Sequence, residues 1–86
     1  MKFKSEFIVR QIAGEWFAFP LGRKEIQFDG MLSLNETGLF LWHLLEEGYD
    51  KDTMVKSMAQ EYNISEELAQ TDVEEYLSKL TQYGCI

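Results

Sequence analysis

Up to residue 34 the apolar positions come in short runs, and beyond it they recur at spacings of three and four. Phe7 to Ile12 is apolar and partly β-branched, and Trp16 to Phe19 is a second, aromatic run closed by Pro20. Ala13-Gly14-Glu15 between them is a turn signal, so the two runs predict a β-hairpin. Pro20 lacks the N–H that a ladder needs and belongs at a strand's end. "LGRKE" then reads as a loop. Ile26–Leu34 predicts a looser third strand, interrupted at Asp29-Gly30 by a turn or bulge and better formed over Met31–Leu34.

Three helices follow. Asn35 is a suitable N-cap for the first, whose apolar positions Leu41, Leu44 and Leu45 stand at i, i+3 and i+4 beside Trp42, with Gly48 at the end. Gly38, early in this helix, lowers propensity and permits close packing against a neighbour. Asp50 or Asp52 caps the second helix, where Val55, Met58, Ala59 and Tyr62 form one stripe and Asn63 closes it. Ser65 caps the third, with Glu66 and Glu67 in the first turn, where the helix dipole favours anions. Its stripe is Ala69, Val73, Tyr76, Leu77, Leu80 and Tyr83. Gly84 is placed to close it in a Schellman arrangement that brings Cys85 onto Leu80. Strands first and helices after give an α+β class, a three-stranded antiparallel sheet followed by three helices (β-β-β-α-α-α) in a winged-helix-like layout.

Eighty-six residues suit one domain over residues 1–86, with a modest core built on large side chains, since 14% are aromatic. Cys85 is the single cysteine, which rules out an internal disulfide and a multi-thiolate metal site. Neither a signal peptide nor a membrane-length apolar segment stands in the sequence, so the expectation is a protein of the reducing cytoplasm with no membrane partner. The net charge of -7 is unevenly distributed. Residues 1–24 carry five cations against Glu6 and Glu15, and residues 25–86 carry thirteen carboxylates against three lysines.

Candidate chemistry is sparse. His43 has no second histidine or cysteine to share a metal or triad, and Cys85 lies at a terminus without a base beside it. Glu46-Glu47, Glu66-Glu67 and Glu74-Glu75 are sequence neighbours, which a helix turns about 100° apart, so they form a solvated face and not a carboxylate dyad. No catalytic residue, metal or cofactor is expected. A winged-helix layout raises nucleic acid as a partner, but the third helix carries Glu66, Glu67, Asp72, Glu74 and Glu75 against Lys79 alone. Phosphate would be repelled, which removes nucleic acid from the expectations. What remains is protein or peptide recognition. A small sheet has edges, and an edge strand either is blunted or accepts an added strand. Ile26–Leu34 has few blunting charges, and Tyr76, Leu80 and Tyr83 on the third helix are candidates for pockets beside it, although such a stripe also suits a core. Two copies pairing through the same edge would form a homodimer.

The segments "FAFPLG", "DGMLSLNETGLFLWHLLEEG" and "AQEYNISEELAQTDVEEYLSKLTQYGCI" together resemble the PqqD-like family, named for pyrroloquinoline quinone synthesis protein D. The match runs through Leu34-Asn35, Leu41-Trp42, Leu45 to Gly48, Tyr62-Asn63-Ile64, Asp72-Val73 with Tyr76-Leu77, and Gly84-Cys85-Ile86, over roughly residues 7–86. The proline of "FAFPLG" follows the broader family rather than the quinone-pathway protein, so the resemblance does not extend to that product. It implies a non-catalytic recognition element that binds the leader segment of a ribosomally made precursor peptide and presents it to a maturation enzyme, often a radical S-adenosylmethionine enzyme. Carried over by position, the leader adds to the strand at Ile26, Phe28, Met31, Leu32, Ser33 and Leu34, and lies against Asp72, Tyr76, Lys79, Leu80 and Tyr83 of the third helix. Lys79 is a candidate partner for an acidic leader residue. The alternative reading is a regulatory or scaffolding domain that engages a folded protein through the same surface.

Overall fold

The computed structural model describes residues 2–21 and 30–86. The order is β1 (Phe7–Ile12), β2 (Glu15–Pro20), β3 (Leu32–Leu34), α1 (Glu36–Glu46), α2 (Lys51–Tyr62) and α3 (Glu66–Gln82). This is the α+β arrangement expected, with an antiparallel sheet in the order β1-β2-β3. The hairpin closes at Ile12↔Glu15 and ends at Phe7↔Pro20, which puts Pro20 at a terminal ladder position. Ala13 and Gly14 both have positive φ, 52° and 83°, the signature of a two-residue type I′ turn whose twist matches the flanking strands. β3 is shorter than the run 26–34 had suggested. Gly30 and Met31 lie outside the strand, while Ile26, Phe28 and Asp29 fall outside the described residues.

Alternation along the strands divides the sheet. Phe7, Val9, Trp16, Ala18, Leu32 and Leu34 face the helices, with Ala18 and Leu34 fully in the core. α1 contributes Leu41, Trp42 and Leu45, α2 contributes Met54, Val55 and Met58, and α3 contributes Ala69, Val73, Leu77 and Leu80. Each such aliphatic side chain contributes about 1.5–3 kcal/mol relative to exposure. Trp42 is completely buried, with the Phe3 ring centroid 4.4 Å away and Phe7 edge-on at 5.0 Å. Its indole N–H has no hydrogen-bond acceptor among the described residues.

The helix ends are closed by their own sequence. Asn35, Asp50 and Ser65 accept from the backbone N–H of Gly38, Thr53 and Leu68, respectively, each satisfying one orphan donor. At the end of α3 Cys85 N donates to Leu80 O at 2.9 Å and Gly84 N to Thr81 O at 3.0 Å, the Schellman pair. Gly84 at φ 81° supplies the left-handed turn this requires. No helix among the described residues is long and apolar enough to cross a membrane.

Candidate functional site

β2 occupies the middle of the sheet, so β3 pairs on one side alone among the described residues. The other side of β3 faces α3 across an open groove. Its first part, about 210 Å³, is lined by Leu32, Ser33, Leu34, Asn35, Gly38, Tyr76, Lys79, Leu80 and Tyr83. An adjoining cavity of similar volume shares Asn35, Gly38, Tyr76 and Lys79 and adds Thr37, Leu41, Asp72 and Glu75. The groove thus follows β3 onto the first turn of α1, with α3 as its opposite wall. A larger concavity of about 390 Å³ abuts the same β3–α1 joint from the hairpin side, between Gly14–Trp16 and Glu36 with Leu39, and has no residue of α3 in it.

Of the eleven positions expected from sequence, Leu32, Ser33, Leu34, Tyr76, Lys79, Leu80 and Tyr83 come together in the first cavity, and Asp72 in the second. Met31 lies just before β3, is 48% exposed and lines neither cavity. Ile26 and Phe28 lie outside the described residues. Leu80 is buried and forms floor rather than rim. Residues not singled out for the site also line it: Asn35, Thr37, Gly38, Leu41 and Glu75. The usable signals were a capping Asn at a strand–helix joint and a glycine where a helix prefers a side chain.

Tyr76 fixes the width of the groove. Its hydroxyl donates to the Gly38 carbonyl at 2.8 Å, tying α3 to the first turn of α1. A Cβ on Gly38 would stand 3.1 Å from Asn35 Oδ1 and 3.5 Å from Tyr76 Cε1, so it would crowd the capping side chain while meeting the ring at an ordinary contact distance. Burial, and secondarily the nearby Cys85 thiol, push the Tyr76 phenol far above its usual range, so it remains a donor at any ordinary pH. The joint itself is rigid: Asn35 holds Gly38 N with its side chain at 2.7 Å and Leu39 N with its carbonyl at 2.8 Å.

Charges sort along α3. Glu74, on the outer side, pairs with Lys51 of α2 at 2.6 Å and accepts from Gln70. Lys51 and Gln70 together hold its carboxyl below the usual range. Asp72 and Glu75, on the groove side, have no ion-pair partner among the described residues, and neither has Lys79. His43 meets Glu46 at 2.9 Å on an exposed face of α1. The Cys85 thiol is buried, and that burial pushes its pKa up to about 11. Among the described residues no three His, Cys, Asp or Glu side chains gather as a metal set.

No curated protein matches the chain. A solved structure of TbiB1 in complex with the TbiA(beta) leader peptide is similar in fold, with a TM-score of 0.76 at 24% sequence identity over 95% of this chain and 90% of that one. The family model described as coenzyme PQQ synthesis protein D (PqqD) matches residues 15–86. With β2, β3, the three capped helices and both walls of the groove inside the matched span, the chain belongs to the PqqD family.

Proposed function

We propose that this protein is a leader-peptide recognition element, one domain over residues 1–86. It binds the leader segment of a ribosomally made precursor peptide and presents it to a maturation enzyme, a radical S-adenosylmethionine enzyme. The observation that carries the reading is the groove between α3 and the side of β3 left unpaired among the described residues, one wall of which is main chain and the other a row of side chains. Its likeness in fold to TbiB1, which was solved with a leader peptide, supports the same reading. An added strand gains main-chain hydrogen bonds that tolerate many sequences, and alternate side chains drop into the groove to be selected. Leu32, Leu34, Leu80 and Tyr83 offer apolar contact there, Ser33 is exposed beside them, and Lys79 can pair with a carboxylate of the leader. The capped joint presets the edge, which reduces the ordering cost when a flexible peptide binds.

The role is binding rather than catalysis. A thiol held at about pKa 11 is a poor nucleophile at neutral pH, and the exposed His43 imidazole, engaged with Glu46 on its own helix, lines neither cavity of the groove. A single cysteine kept as a buried thiol suits a reducing cytoplasm. Self-pairing of two β3 edges into a homodimer would use the same backbone groups, so dimerisation and leader binding exclude one another. The test is titration of the matching precursor leader into isotope-labelled protein. Amide shifts clustering at residues 30–34 and 72–83 are expected. Shifts concentrated on the outer hairpin face, or binding seen only with the intact partner protein, would favour the scaffolding alternative.

A further inference from the structure

The two halves of the groove differ in chemistry. Leu32, Leu80 and Tyr83 line the half beside the start of β3, whereas Asp72, Glu75 and Thr37 line the half beyond its end. Both halves share Asn35, Gly38, Tyr76 and Lys79. Asp72 is half-buried in the wall, and neither it nor Glu75 has an ion-pair partner among the described residues, while the intervening Glu74 already has Lys51. A ligand spanning both halves therefore meets apolar surface at one end and, at the other, two carboxylates against the single charge of Lys79, a net negative end.

Resting on the proposed leader-binding role, we propose that the groove sets the polarity of its peptide: alternating apolar residues lie along β3, and a lysine or arginine reaches Asp72 and Glu75. An antiparallel ladder is the more stable per residue, so the peptide runs opposite to β3. The basic residue then precedes the apolar segment, about one to three positions before the residue opposite Leu34, given a rise of about 3.3 Å per residue. A cation with an aliphatic stem suits this end, because the stem can lie on the Tyr76 ring while its head remains wet between the carboxylates. A precursor whose leader is acidic at that position is rejected by like charge.

The probe is a display library of random twelve-residue peptides, selected against the whole protein and against Asp72→Asn/Glu75→Gln. Both substitutions keep size and hydrogen-bonding capacity, and an unchanged melting curve shows that the fold persists. On the native protein, enriched peptides should carry a basic residue N-terminal to an apolar alternation. On the variant the alternation should survive and the basic preference vanish. The best basic peptide should bind the variant about threefold to tenfold more weakly, with the difference shrinking as salt rises. Enrichment of the apolar pattern without a basic bias, or with the basic residue on the C-terminal side, overturns the polarity and leaves the groove reading standing. Failure of either protein to enrich any apolar alternation overturns the groove reading, and the polarity with it.

Discussion

Replacing Tyr76 by Phe removes one oxygen from the α1–α3 contact and keeps the ring. The phenol donates to the Gly38 carbonyl at 2.8 Å in a part-buried setting. That carbonyl also belongs to the ladder of α1, so the variant leaves no wholly unpaired group. The expected loss is the net worth of one neutral hydrogen bond, about 1 kcal/mol. For a domain of this size that corresponds to a fall of about 4–8 °C in the thermal midpoint at neutral pH. The pH dependence gives a second readout. The folded-state phenol titrates above its ordinary value of 10.0, so its contribution is fully present below pH 10 and is lost as pH rises toward the folded-state value. The gap between native protein and variant should therefore be constant up to about pH 10 and narrow above it. Far-ultraviolet circular dichroism melts at a series of pH values measure both. Equal midpoints at neutral pH, or a gap that does not narrow in alkali, would refute the assignment of this bond as the tie between the helices.

Gly38→Ala sets a helix-propensity gain of up to about 1 kcal/mol against a disturbed cap of similar worth, because the new Cβ meets Asn35 Oδ1 at 3.1 Å. Its melting curve should move little, and because the new Cβ meets the Tyr76 ring at an ordinary 3.5 Å, calorimetric titration with the precursor leader should show nearly unchanged binding. Ala13→Asn places the residue preferred at this left-handed position of the type I′ turn, where Ala13 sits at φ 52°. A gain of about 0.5–1 kcal/mol, read as a midpoint a few degrees higher, is expected. Cys85→Ala removes a thiol whose pKa is raised from 9.0 to about 11, so the native protein should lose stability as pH rises from 9 through 11, and the variant should lack that portion of the decline. A thiol reagent at neutral pH should label native Cys85 only on unfolding.

Local chemistry carried most of the fold. Asn35, Asp50 and Ser65 act as caps because each needs nothing beyond its own helix turn, and the Gly84 terminus is equally local. The groove-facing side of α3 was legible for a related reason: positions 72, 76, 79, 80 and 83 share a face at helical spacing wherever the helix packs. The residues that were not legible depend on other elements. Met54 is fully buried although it stands outside the stripe read from Val55, Met58, Ala59 and Tyr62, because α2 is covered from two sides. Phe3 lies between two lysines with no period to mark it, and its role appears only once Trp42 is beneath it. β3 pairs with Trp16, Phe17 and Ala18 alone although β2 runs on to Pro20, and Gly30 at φ 78° turns the chain just before Met31. Gly38 showed its tolerance for a close neighbour but not that the neighbour would be Tyr76, thirty-eight positions away.

The hydrogen bond from Lys4 N to Cys85 O, 2.8 Å long, brings the two ends of the fold side by side. Adjacent ends allow a domain to be inserted into a surface loop of another protein with its entry and exit points already matched, or to be circularised and reopened elsewhere. The tip of the β1–β2 hairpin at Ala13-Gly14 is an exposed place for such a reopening. A unit with this geometry is portable. Joined to a modifying enzyme at a loop or a terminus, it would bring its docking groove along as a complete part, raising the local concentration of substrate without redesign of the enzyme's own active site.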